Sequence, residues 1–101
     1  MRFLMKVSMP VEAGNAAAAN GFSAIQQILE QQKPEAAYFV SEDGKRTGIL
    51  IVNLEKESDI PRFAEPWFLA LNASVDFTPA MVPEDLATAG PAIDAAVKSF
   101  G

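Results

Sequence analysis

The order of apolar segments constrains this chain more than any other feature. A strand-like run from Phe3 to Met9 leads to a helical stretch ending near Gln32. Two strand-like runs joined at Asp43-Gly44, a second helical stretch and a last strand-like run from Ser74 to Met81 follow. That order is βαββαβ. Because connections are short and crossovers right-handed, few topologies accommodate it. The leading one is an α+β, ferredoxin-like sandwich, with one antiparallel sheet in the order 4-1-3-2 and two helices on one of its faces.

Local patterning supports the order. Phe3, Met5 and Val7 share one face of the first strand, Leu4, Lys6 and Ser8 share the other, and Pro10 stops the run. The Ala-rich stretch from Val11 to Gln32 repeats Ala18, Phe22, Ile25 and Leu29 at helical spacing. Asn20-Gly21 interrupts it, and both residues tolerate the left-handed conformation, so a short helix followed by a longer one is expected. A phosphate-cradling loop built on Gly14-Asn15 and Asn20-Gly21 is the sharper alternative. Its spacing matches neither GxGxxG nor a P-loop, and no lysine follows.

Asp43-Gly44 between Ala36–Val40 and Thr47–Leu54 predicts a tight hairpin, because that dipeptide suits a turn with positive φ at both positions. In the second arm Ile49, Ile51 and Asn53 point one way, while Gly48, Leu50, Val52 and Leu54 point the other. A strand apolar on both faces requires cover on both. Helices cover one face of such a sheet, so the other predicts a partner subunit or a ligand.

The second helical segment opens at Ser58 or Asp59 with Pro61 in its first turn, and it aligns Ile60, Phe63, Ala64, Trp67 and Leu71. Pro66 predicts a kink or a division within it. The last strand carries Pro79 near its end, as suits a sheet edge. Beyond it, Leu86, Gly90, Ile93, Val97 and Phe100 recur at four-three spacing. Residues 83–100 therefore read as a helical tail that docks on this subunit or the next, within one domain covering 1–101.

Composition excludes several classes. Without His or Cys, the chain lacks the commonest metal ligand, the usual near-neutral base, thiolate catalysis and disulfides. A net charge of −5 without any basic run argues against nucleic acid and anionic membranes. Lys6 interrupts the N-terminal run before a signal-peptide core can form. The longest strongly apolar uncharged stretch, Pro66 to Val75, falls far short of the roughly 20 residues a membrane span needs. A soluble, cytoplasmic protein without metal or cofactor is expected.

Four segments carry a resemblance: Pro10-Val11-Glu12-Ala13-Gly14-Asn15, Lys33-Pro34-Glu35-Ala36-Ala37-Tyr38-Phe39, Ala64 to Ala73, and Thr78-Pro79-Ala80-Met81 with Glu84-Asp85-Leu86. Together they resemble a family of small bacterial proteins of unknown function. That family is similar in architecture to the dimeric α+β barrel superfamily, which includes muconolactone isomerase, cofactor-free monooxygenases, chlorite dismutase-like haem proteins and stress-responsive barrel proteins. The resemblance implies a subunit whose open sheet face packs on a second copy, sometimes within a larger even-numbered assembly. It implies no single chemistry, since these proteins share a scaffold and differ in the site. The haem branch relies on a proximal His, which this chain lacks.

Any site is expected on the open face. The 4-1-3-2 order places Lys6 and Asp76 on neighbouring strands, with Ser8, Asn53 and Thr78 nearby. Lys6 and Asp76 are thus the candidate catalytic pair, with Tyr38, Asn53 and Trp67 as candidate ligand contacts. The chemical reading is an acid–base pair with Asn53 orienting a carbonyl, as in a cofactor-independent isomerase or monooxygenase acting on a small apolar carbonyl or aromatic compound. The structural reading, which takes precedence, is an ion pair that registers a subunit interface. Tyr38 and Trp67 equally suit core or rim positions, and Arg46 beside the turn suits a solvated edge. Three functions follow: a homo-oligomeric scaffold or small-ligand-binding protein first, then a cofactor-independent enzyme, then a protein-interaction subunit.

Overall fold

A computed structural model describes all of residues 1–101. Its elements run β1 (Arg2–Ser8), α1 (Val11–Ala19), α2 (Ser23–Gln32), β2 (Ala36–Glu42), β3 (Lys45–Asn53), a single 3-10 turn (Glu57–Asp59), α3 (Ile60–Leu71), β4 (Ser74–Pro79), α4 (Pro83–Thr88) and α5 (Gly90–Phe100). The sheet has four antiparallel strands in the order β2-β3-β1-β4, the expected topology read from the opposite edge. β1 is central, pairing with β3 on one side and β4 on the other.

The hairpin turn is the one its sequence calls for. Asp43 and Gly44 have φ of 55° and 74°, and β2 and β3 pair in continuous register from Ala36↔Ile51 to Glu42↔Lys45. The alternation of β1 and β3 also emerges as read. Met5, Val7, Leu50 and Val52 point toward the helices and are buried, with Leu54 joining them just beyond β3. Ile25 and Ile28 from α2, and Phe63, Trp67 and Leu71 from α3, complete this core, and Phe3 meets Phe77 edge-on at its margin.

One local expectation needs correction, and two pairs of alternatives narrow. Phe22 is not on a helical face: Gly21 and Phe22 both take positive φ between α1 and α2, and Ile28 holds the inward position beside Ile25. The alanine periodicity continues into the turn only by coincidence of spacing. α3 is not divided at Pro66. Proline's fixed φ is compatible with helix, so the loss is confined to one ladder hydrogen bond and local crowding, while the buried residues Phe63, Ala64, Trp67 and Leu71 hold the helix against the sheet. The tail, finally, does not dock on its own chain. No residue of α4 or α5 is buried, and Ile93, Val97 and Phe100 are 50%, 60% and 91% exposed.

Helical hydrogen bonding continues across the α4–α5 junction, from Ala89 N to the Asp85 carbonyl and from Ile93 N to the Ala89 carbonyl, each at 3.0 Å. The pair projects as one arm. The Cα radius of gyration is 17.0 Å and the longest extent 57 Å, where a compact chain of this length would have a radius near 13 Å.

Candidate functional site

The sheet face away from the helices is the candidate site, and strand register lays it out in rows. Asp76, Lys6, Ile49 and Tyr38 form one row across β4, β1, β3 and β2. Thr78, Leu4, Ile51 and Ala36 form the next, and Ser74, Ser8, Thr47 and Val40 flank the first on its other side. Leu4, Ile49 and Ile51 are half-buried although no helix covers them, and Tyr38 is 64% exposed.

Lys6 and Asp76 are register neighbours, as their positions predict. The ammonium of Lys6 goes elsewhere: Nζ donates to Glu42 Oε1 at 2.9 Å, reaching diagonally across β3. That path passes over Thr47, which is only 1% exposed on a face without helices. The hydrogen bond to Glu42, and then its charge, raise the Lys6 pKa above its ordinary value; Asp76 adds a smaller attraction. In this arrangement Lys6 is a fixed cation rather than a base.

A second ion pair closes the opposite end of the face. Arg2 Nε donates to both carboxylate oxygens of Glu35, at 3.0 and 3.2 Å, and Nη2 donates to Oε1 at 2.9 Å. The hydrogen bond from Arg2 holds the Glu35 carboxyl below its usual range, and the same bond raises the pKa of Arg2. The apolar rows thus lie between two polar straps, Lys6–Glu42 and Arg2–Glu35, each joining β1 to β2 or its approach across β3.

The remaining candidates separate. Asn53 sits opposite Arg2 at the far end of the face, where its Oδ1 accepts from the Met1 amine at 3.2 Å. Trp67 is on the helix side and is 0% exposed, so no ligand on the open face reaches it. Its Nε1 donates to Gln32 Oε1 at 3.2 Å, and Gln32 Nε2 donates to the Phe63 carbonyl at 2.9 Å, tying the end of α2 to α3. Lys6, Asp76 and Tyr38 therefore share one row, Asn53 lies beyond it, and Trp67 belongs to the core. No group of three or more acidic side chains gathers in a metal-binding arrangement.

Arg46 is exposed, as expected beside the turn, but sequence reasoning did not find its partner. Arg46 lies against α1, with its side chain over Gly14 and Nη1 donating to Asn15 Oδ1 at 2.9 Å. Parity signals only its side of the sheet, since Arg46 shares the strand face of Gly48, Leu50 and Val52 rather than that of the exposed edge.

The architecture defines a small α+β protein with a ferredoxin-like sheet. No protein-family model matches the chain, and no curated protein matches it in sequence. Among solved structures it is similar to a formyltetrahydrofolate deformylase from Pseudomonas putida KT2440, with a TM-score of 0.50 and 9% identity, over 79% of this chain and 29% of that one. The likeness is one of fold, and the chain spans under a third of the deformylase's length.

Proposed function

We propose that the protein is a homo-oligomeric binding or scaffold module in which two copies pair through the open sheet face, as in a dimeric α+β barrel. The observation that carries this reading is the apolar surface formed by Leu4, Ile49 and Ile51, with Tyr38 and Val40 beside it, on a sheet face without helical cover. A face of this kind is uncommon on a monomer and marks an interaction surface. The flanking pairs Lys6–Glu42 and Arg2–Glu35 satisfy their own charges, so the strip between them over β1, β3 and β2 can be covered without stranding these ions, while Asp76 lies exposed on the edge strand β4. The exposed seam of the arm, Leu86, Ile93, Val97 and Phe100, gives the same assembly a second apolar contact. In the deformylase the comparable fold is one part of a larger enzyme, which accords with use of the fold as a module.

A catalytic reading finds less support, because Lys6 is held charged by Glu42 and Asp76 is left exposed at the sheet edge. Native mass spectrometry tests the proposal. An even-numbered assembly of 10.8 kDa subunits is expected, converted to monomer by Ile49→Lys or Ile51→Lys with the circular dichroism spectrum retained. An extra mass on the oligomer identifies a ligand in the interface, whereas a bare monomer of the parent protein at micromolar concentration refutes pairing.

A further inference from the structure

A groove on the other side of the sheet, near the end of β1, is lined by Met9, Phe22, Ile25, Phe39 and Arg46, with Val40 of the edge strand β2 at its margin, and has a volume of about 390 Å³. That volume is within the range of small-molecule sites, and a mostly apolar wall is their usual composition; the Arg46 guanidinium stands beside it, against α1 at Gly14 and Asn15.

Phe22 has φ 58° and ψ 29°, a conformation that suits glycine or asparagine and costs an aromatic residue energy. Burial does not offset that cost, since Phe22 remains 38% exposed at the groove's rim. Phe39 lies against Gly48, where a Cβ would meet its ring at 3.2 Å and the core residue Leu50 at 3.0 Å, so the absent side chain makes room for both. Arg46 crosses α1 at Gly14, where a Cβ would stand 3.0 Å from Nη1 and 3.2 Å from Cδ. Asn15 Oδ1 engages Nη1 alone, leaving the other N–H donors of the guanidinium for an anion. Arg46 is the only charged residue in the lining.

We infer that this groove binds a small apolar monocarboxylate, its hydrocarbon body between Phe22 and Phe39 and its carboxylate on the Arg46 guanidinium. The hydrocarbon desolvates the two exposed rings, and the planar guanidinium fits a carboxylate through paired N–H donors. The site is on the helix side and is independent of pairing through the open face.

Octanoate and 1-octanol, equal in chain length and differing in charge, test it by calorimetry and by amide shifts in a ¹⁵N-labelled sample of the full chain. Octanoate is expected to bind saturably, to shift Met9, Phe22, Ile25 and Phe39, and to bind about tenfold more tightly than octanol, the measure of one charge-assisted hydrogen bond. Arg46→Gln is expected to remove that preference while octanol still binds. Gly14→Ala, which displaces the guanidinium without deleting it, is expected to reduce the preference; each variant's amide spectrum reports that it is folded. Absence of saturable binding, equal affinity for the acid and the alcohol, or shifts confined to Leu4, Ile49 and Ile51 would each overturn the assignment. Octanoate-dependent shifts at Ile93 and Val97 would also overturn it, by showing that the groove holds the arm of a second copy.

Discussion

Gln32 joins α2 to α3 through one amide, and replacing it with methionine isolates what that tie contributes. Methionine is similarly long and unbranched and has comparable helix propensity, so the change removes two hydrogen bonds with little else. The Trp67 Nε1–H, on a residue 0% exposed, loses its acceptor, in a protein where no buried side-chain nitrogen or oxygen lacks a partner. An orphaned buried donor costs about 1–3 kcal/mol, and Gln32 being only half-buried places this one in the lower half of that range. The Phe63 carbonyl retains its helical position, so losing the 2.9 Å bond from Gln32 Nε2 adds no more than about 1 kcal/mol. Together the loss is about 1–3 kcal/mol, or roughly 5–15 °C in Tm for a chain of this size. Urea unfolding followed by far-ultraviolet circular dichroism, at one fixed protein concentration, should show a lower midpoint with an unchanged slope. Repeated in a Trp67→Phe background, Gln32→Met should cost no more than about 1 kcal/mol, since the indole donor is already gone. A cost below about 0.5 kcal/mol in the parent, or the same cost in both backgrounds, would refute the argument that the indole bond carries the effect.

Three further outcomes are expected. Gly48→Ala should destabilise by about 1–3 kcal/mol, because its Cβ would stand 3.0 Å from Leu50 Cδ1 and 3.2 Å from the Phe39 ring; a Tm within 1–2 °C of the parent, on the order of a few tenths of a kcal/mol, would count against that crowding. Asp59 accepts backbone N–H bonds from Glu55 at 3.0 Å and Lys56 at 3.3 Å, chiefly the first of which lowers its pKa. A depressed folded-state pKa gives stability that is full above the ordinary aspartate value, near 3.8, and lost as pH falls through the lower folded value. The gap in Tm between parent and Asp59→Asn should therefore be flat above about pH 5 and close in more acidic buffer; a gap that widens on acidification would contradict the sign. Lys6→Met should leave the fold intact and expose Thr47, which is 1% exposed under the path to Glu42, and faster exchange of the Thr47 hydroxyl or nearby amides by NMR is the readout; unchanged exchange would show that the strap does not cover it.

What the sequence reveals and what it conceals divide along physical lines. Alternation fixes which way a strand residue points, so the two faces of β1 and β3 could be read from Met5, Val7, Leu50 and Val52 against Leu4, Ile49 and Ile51. Asp43-Gly44 announces its turn because few residues accept positive φ twice. Partner choice is less legible. A lysine has a long stem, and Lys6 passes over the adjoining strand to Glu42 instead of settling on Asp76 directly opposite. Phe22 was assigned to a face because periodicity does not register a single pair of left-handed residues. Arg46 is exposed, as its place beside the turn suggests, but its contact with α1 was not legible, because only the bare backbone of Gly14 lets the side chain lie there and reach Asn15.

The position of β1 bears on how the chain comes together during synthesis. It precedes the other three strands of its sheet, yet its two neighbours are β3, complete at Asn53, and β4, complete at Pro79. At ribosomal rates of about 5–20 residues per second, both edges of β1 remain bare until β3 emerges, and one edge for seconds longer until β4 does. The β2–β3 hairpin, held by its own two-residue turn, can form locally in the meantime and present a template for β1. The strand of this sheet that is made before the others thus waits longest for its pairing, and the alternation of Lys6 and Ser8 with its apolar residues keeps it from being uniformly adhesive.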